Sequence, residues 1–366
     1  MKNCFGDSLT FTIFGESHGD MIGVVLDGLA PGIPIDLSYI EKKLAQRRPN
    51  GKISTSRRET DDFKIVSGEF EGYTTGTPLT ILIPNNNTHS KDYSEFKDKP
   101  RPGHADFSAE CKYHGFQDYR GGGHFSGRIT AAIVAAGAIV EEALSRLGIQ
   151  IGTHISYLSG IKDRPFSDYR SDISLLSETS FPTLDSTVGE LMKKAIEKAK
   201  DDMDSVGGIL ETAIIGLPAG IGEPYFDSLE SKFSHALFSI PGIKGVSFGA
   251  GFGFANMCGS EANDEFTTDG TTVYTVTNNN GGINGGISNG MPVMINLAVK
   301  PTPSIYKRQK TVSLSEMKNT ELSLDGRHDP AIIHRARTVV DATLALTVAD
   351  LLTARFGTDY LRTGGK

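Results

Sequence analysis

The chain has 366 residues, 38% of them hydrophobic, and a formal net charge of −7. At roughly 100–200 residues per domain this allows one large domain or two to three smaller ones, and no run approaches the ~18 apolar residues that span a bilayer. The acidic balance disfavours general nucleic-acid binding, and Cys4, Cys111 and Cys258 contain no CxxC pair, which argues against a disulfide framework and structural zinc.

From the N-terminus, MKNCFGDSLT has no apolar segment or small-residue cleavage site, so no secretory signal is expected and a reducing, cytoplasmic setting is the simple reading. Ser38 with Glu41 forms a capping-box pattern that opens a helix to Gln46. Short strands follow at 63–70 and 79–83, bounded by Gly, Pro or Asn. Residues 85–100 are polar and read as a surface loop or lid. Ser126 precedes an Ala/Ile/Val/Leu run to Leu147, with Gly148 in a C-cap position. Thr187 with Glu190 and Asp227 with Glu230 open two more helices, the second ending at Pro241. Further strands are expected at 209–217, 272–276 and 293–299. Asp329-Pro330 reads as an N-cap and first-turn proline for a helix reaching Leu352. Strands grouped between single long helices favour an α+β fold, antiparallel sheets covered by helices, over a doubly wound sheet. No linker or internal repeat divides residues 1–366.

Glycine is over-represented, with 42 residues clustered at 121–123, 249–253 and 281–290. The clusters match no P-loop, and GAGFGF at 249–254 is not a GxGxxG fingerprint, so a Rossmann site is not expected. Three histidine contexts stand out: Phe14-Gly-Glu-Ser-His18-Gly, Arg101-Pro-Gly-His104-Ala-Asp106 and Gly326-Arg-His-Asp329-Pro. A loop histidine beside glycine can reach a ligand and suits general acid work, although one alone more often satisfies a turn. Basic residues cluster at Arg47, Arg48, Lys52, Arg57 and Arg58, at Arg101, Arg120 and Arg128, and at Arg327, Arg335 and Arg337. In an acidic chain this suggests a pocket for a multiply anionic ligand, against the alternative of solvated surface charge. The helix start at Ser126 adds N–H groups that favour phosphate. Lys300-Pro-Thr-Pro-Ser304 turns the chain after a strand and groups three donors.

Taken together, FGESHG (14–19), Arg47-Arg48-Pro49, SGEFEGYTTGTP (67–78), RPGHAD (101–106), DYRGGG (118–123), SIPGIKG (239–245), GGINGGISNG (281–290), KPTPS (300–304) and GRHDP (326–330) resemble the chorismate synthase family, in its order and over most of the chain. The resemblance implies a β-α-β sandwich with helices between antiparallel sheets, in one domain, usually assembled as a homotetramer. It implies 1,4-anti elimination of phosphate from 5-enolpyruvylshikimate 3-phosphate to give chorismate, a lyase step of the shikimate pathway. Reduced FMN is required without net turnover, and NADPH is a candidate reductant, although no appended reductase domain is visible. By the same resemblance His18 protonates the leaving phosphate, His104 protonates or stabilises the reduced flavin, and Asp329 helps move a proton. Arg47, Arg48, Lys52 and Arg128 bind substrate anions. His124, Phe125, Ser126, Gly242, Gly285, Lys300, Pro301, Thr302, Pro303, Ser304 and Arg327 line the FMN site, with Arg327 also facing substrate anions. No metal is implied.

The chain departs from the family pattern at three places. His124-Phe125 stands where Arg-Ser is common, Lys52 where many members carry Arg, with a one-residue deletion nearby, and Asn296 where many carry Arg. Lysine is a point charge, not a fork, so local contacts differ there. Two other readings are a flavin oxidoreductase with net redox turnover, which lacks a hydride-donor fingerprint, and an anion- or RNA-binding protein. The net charge and absence of tryptophan count against the second.

Overall fold

The apolar run after Ser126 forms the helix Thr130–Arg146, and its burial organises the molecule. A helix apolar all round has no solvent face and must be enclosed. In the computed structural model, which describes residues 2–49, 51–55, 60–86, 96–324 and 329–363, it lies between two sheets. Its main partner is the helix Ile333–Phe356, buried along most of its length. Gly137 permits their close crossing, because a Cβ there would lie 2.4 Å from the Ala342 Cβ. The helix Leu37–Arg47 packs on both.

One sheet has five antiparallel strands in the order Cys4–Phe5, Thr10–Gly15, Met21–Asp27, Leu79–Pro84 and Lys64–Ser67. The other runs Ile243–Phe248, Val293–Val299, Gly208–Ile215, Gln150–Leu158 and Ile161–Lys162, also antiparallel. Strand residues such as Ile22, Val24, Leu26, Leu210 and Leu297 are fully buried. Each such side chain contributes about 1.5–3 kcal/mol relative to exposure. One apolar cluster extends from Leu9 to Leu361. The architecture is the α+β, β-α-β sandwich expected from the sequence. Among the described residues no helix is long and apolar enough to cross a membrane.

Helix starts differ from the capping patterns by a few residues. Asp36, not Ser38, caps Leu37–Arg47; Asp185, not Thr187, caps Ser186–Asp201; Ser228, not Asp227, caps Leu229–Leu237. In each case a side-chain oxygen accepts first-turn N–H groups, and the patterns offered several adjacent acceptors. Asp329-Pro330 precedes the last long helix without capping it, since Ile332 holds that position. The strand expected at 63–70 breaks at Gly68, whose φ is +80° and where a Cβ would meet the Leu79 Cα at 2.4 Å. The expected loop at 85–100 falls largely on 87–95, outside the described residues.

Candidate active site

A cleft of about 880 Å³ opens where the N-terminal ends of the two central helices meet the edges of both sheets. That volume lies within the ~300–1,000 Å³ range of ligand pockets. Among the described residues its charged lining consists of Lys2, Arg47, Arg101, Arg128, Lys244, Lys300 and Arg335, against one carboxylate, Asp329. Helix N-termini carry partial positive charge, so the two helix starts add to the same field. The acidic chain thus concentrates cations on one concave surface.

The triple-glycine turn at 121–123 brings the first two histidine motifs together. Gly121, Gly122 and Gly123 have φ of +61°, +95° and +52°, a region that side chains rarely adopt. A Cβ on Gly121 would lie 2.2 Å from His18 Cε1, and one on Gly122 would lie 3.2 Å from His104 Cε1. Both imidazoles therefore pack on bare backbone. His18 is buried; its Nδ1 is 3.1 Å from the Ser17 hydroxyl, which donates to the Arg120 carbonyl at 3.2 Å. That chain makes Nδ1 the donor and Nε2 the basic nitrogen of the neutral ring.

His104 is held from the other side. Its Nδ1 lies 2.6 Å from Asp106 Oδ1, and Arg101 grips the same carboxylate through Nε and Nη2, each at 2.8 Å. Burial alone would raise the Asp106 carboxyl, but bonds from Arg101 and His104 outweigh it and hold it well below the usual carboxylate range. An ionised Asp106 accepts the Nδ1 proton, which leaves Nε2 as the nitrogen available for exchange. The Arg101 guanidinium rests 4.6 Å over the Phe96 ring, and the hairpin Gln309–Ser313/Lys318–Leu322 braces this loop through the Thr311 hydroxyl bond to the Pro100 carbonyl, 2.6 Å.

Arg47, Arg48 and Arg128 converge on one residue that carried no motif, Asp61. Arg47 Nη2 and Arg48 Nε lie 3.1 and 3.3 Å from its Oδ2, and Arg128 bonds its Oδ1. Arg47 and Arg128 line the cleft, and Arg48 bonds Asp61 without being among the lining residues. Asn85 joins this group to the His18 turn. Its side chain donates to the carbonyls of Glu16 and Gly19, each at 2.9 Å, and accepts from Arg128 Nε at 2.9 Å.

The opposite wall contains Gly242 and the tract Lys300–Ser304, all lining the cleft. Lys300 reaches across to the Gly103 carbonyl, tying this wall to the His104 loop. Burial and the adjacent Lys244 hold the Lys300 ammonium below its ordinary value, a tension that a bound anion would relieve. The Thr302 hydroxyl is buried without a hydrogen-bond partner among the described residues. Such an orphan in a cleft wall suits a ligand atom. Asp329 accepts from the Thr55 N–H at 2.8 Å and pairs with Arg335, which also donates to the Arg47 carbonyl at 3.3 Å.

At the departure from the family pattern, His124 Nδ1 donates to the Gly15 carbonyl at 2.8 Å and the ring lines the cleft. Phe125 sits edge-on to Tyr113, and Ser126 accepts the Arg128 N–H at 3.2 Å. Two expected ligand residues, Lys52 and Gly285, and the departure Asn296 lie elsewhere. Lys52 is exposed, with its carbonyl taking the Lys200 ammonium at 2.7 Å; Gly285 sits at the turn of the Ile283–Asn284/Ile287–Ser288 hairpin; Asn296 pairs with Glu211 inside a sheet. Arg327, with Arg57 and Arg58 of the basic cluster, falls outside the described residues. Asp61, Asp106 and Asn85 are the contributors that sequence reasoning did not assign. Asp106 alone left a signal, two residues after His104 within its motif.

The fold and site define a β-α-β sandwich protein with a cation-lined ligand cleft and two cradled histidines. The family model described as chorismate synthase matches residues 9–353. Chorismate synthases of Pyrococcus abyssi and Dehalococcoides mccartyi are 45% and 46% identical to the chain over 350 and 354 residues, covering 96% of it and 97% and 96% of those proteins. A crystal structure of chorismate synthase matches with a TM-score of 0.75 and 26% identity, over 97% of this chain and 94% of the other. The chain belongs to the chorismate synthase family, a family of enzymes.

Proposed function

We propose that the cleft converts 5-enolpyruvylshikimate 3-phosphate to chorismate and phosphate by 1,4-anti elimination, as a lyase of aromatic amino-acid biosynthesis. The observation that carries this reading is the charge of the cleft: among the described lining residues seven cations face one carboxylate beside His104, and the glycine turn that seats His104 also seats the buried His18 behind the lining. The substrate bears two carboxylates and a phosphate, so it complements that wall. Arg47 and Arg128 bind its anions, with Arg48 behind them. His18 takes up a proton at Nε2 to become the imidazolium and delivers that proton to the departing phosphate. His104, with Nδ1 anchored on Asp106, holds a proton at Nε2 on the adjoining side of the turn. Asp329, paired with Arg335, takes up a proton at the far wall.

The residues present also fit a reduced flavin mononucleotide. Gly242, Lys300–Ser304, His124, Phe125 and Ser126 line a space of suitable size, and the Thr302 hydroxyl is open to a polar ligand atom. The chemistry that such a cofactor supplies is transient electron donation to the substrate, without net oxidation. The protein's part is to hold both molecules together and away from water. On the same footing, the chain works as a single domain over 1–366, as a cytoplasmic homotetramer. Its flavin is reduced by an outside source, with NADPH as the alternative reductant.

The test is an anaerobic assay with dithionite-reduced FMN and substrate. Equal release of chorismate and phosphate, with the flavin still reduced, is expected. Stoichiometric flavin oxidation would support a redox enzyme instead, and no phosphate release would sink the reading.

A further inference from the structure

We infer that Asp61 is a positioning residue that holds Arg47 and Arg128 as a preset anion clamp on the cleft wall. The inference rests on the anionic substrate proposed above. Asp61 itself does not line the cleft and its side chain is fully buried. A carboxylate in that setting is costly unless paired. It is paired three times, by guanidiniums from two distant segments: Arg47 and Arg48 at the end of the helix Leu37–Arg47, and Arg128 in the turn before Thr130–Arg146.

Among the described residues the cluster gathers three guanidiniums on one carboxylate. Like charges this close repel, so the shared carboxylate is what lets two of them face the cleft together. Arg128 is fixed further by Asn85 Oδ1 at 2.9 Å and the Pro84 carbonyl at 3.1 Å. A guanidinium locked on its inner side binds an outer anion without paying again in side-chain entropy. The complementary ligand group is a phosphate dianion or a pair of carboxylates. Backbone geometry agrees with a dedicated role: Asp61 has φ +52°, a left-handed conformation that Asp and Asn tolerate better than other side chains.

That geometry also makes Asp61→Asn an informative test, since asparagine keeps the shape and the φ preference while removing the charge and turning one of the two acceptor oxygens into a donor. The expected result is a rise in substrate KM, and in the Kd of inorganic phosphate measured by calorimetry, on the order of 10–100-fold with kcat changed much less. A merely structural Asp61 would lower the melting temperature and the active fraction and leave KM and phosphate affinity as in the unaltered protein; that outcome overturns the inference. Should Asp61→Asn fail to fold, Asp61→Glu keeps the charge but shifts it by one methylene. It should raise KM in a folded protein, and an unchanged KM would again refute the clamp. If the unaltered enzyme binds phosphate but does not turn over the proposed substrate, the functional reading fails, and the phosphate comparison still decides the role of Asp61.

Discussion

Two histidine–carboxylate couples in this molecule use the same chemistry and face different surroundings. His104 bonds Asp106 at 2.6 Å beside the cleft, on a loop seated against Gly122. His154 bonds Asp163 and Glu211, each at 2.9 Å, inside the second sheet, and is fully buried with Phe166 across its ring. Both nitrogens of His154 are consumed by protein carboxylates. His104 has one anchored nitrogen and keeps the other beside the glycine turn. The comparison shows that a carboxylate partner is common to a cleft histidine and a sealed one; what separates them is a nitrogen left beside ligand space. His334 makes the point from the other extreme: buried against Ser54 and stacked on Phe181, it is pushed down by burial to about 3 and stays neutral.

Mutations can break this contrast. The largest expected effect on turnover comes from His104→Ala or His18→Ala, each lowering kcat by about 10²–10⁴-fold with pre-reduced flavin. The melting temperature should stay close to that of the unaltered protein. Turnover near the original rate in both variants would defeat the catalytic assignment. Next, Asp106→Asn should cost about 10–100-fold in kcat, because the imidazole loses the anion that fixes its tautomer. An unshifted pH–rate profile in that variant would show that Asp106 does not act through His104.

Gly121→Ala should be felt by His18 in particular. The new methyl would start 2.2 Å from Cε1 at a φ of +61°, so ring and turn must both move. A loss of about tenfold or more in kcat is expected, with KM less affected. A crystal structure of the variant with His18 undisplaced would contradict this account.

The smallest effect on turnover belongs to His154→Gln, which should leave kcat per folded molecule unchanged and lower stability by about 3 kcal/mol, as breaking a buried ion pair does. Burial alone would lower the His154 value, but Asp163 and Glu211 outweigh it and the net shift is upward. A raised folded value contributes stability that is complete below the unfolded histidine value of about 6.5 and fades as pH rises through the folded value. The melting-temperature gap between the two proteins should therefore be wider at pH 6 than at pH 9. A gap independent of pH would mean that His154 is not held as a cation.

Much of the site was legible because its parts are local. FGESHG, RPGHAD and GGG each carry their histidine or their backbone freedom within six residues, and their order along the chain led to the family. Asp61 was not legible, since its meaning depends on arginines 13, 14 and 67 positions away. His154 was equally silent: a histidine in an alternating strand gives no sign of carboxylates 9 and 57 residues distant. The capping patterns located helices but misplaced their first residues, because neighbouring Asp and Ser side chains compete for the same few N–H groups.

Residue order alone therefore determined the apolar helix that must be enclosed, the glycines that must turn, the basic clusters and the histidine motifs. These follow from side-chain size, backbone freedom and charge, which act over a few residues. Folding decided which charges are spent on one another and which remain for a ligand. It joined three arginines on Asp61, sealed His154 between two carboxylates, and left Gly285 and Lys52 away from the cleft. Charge pairing and burial act through space, and so depend on distances that no single segment contains.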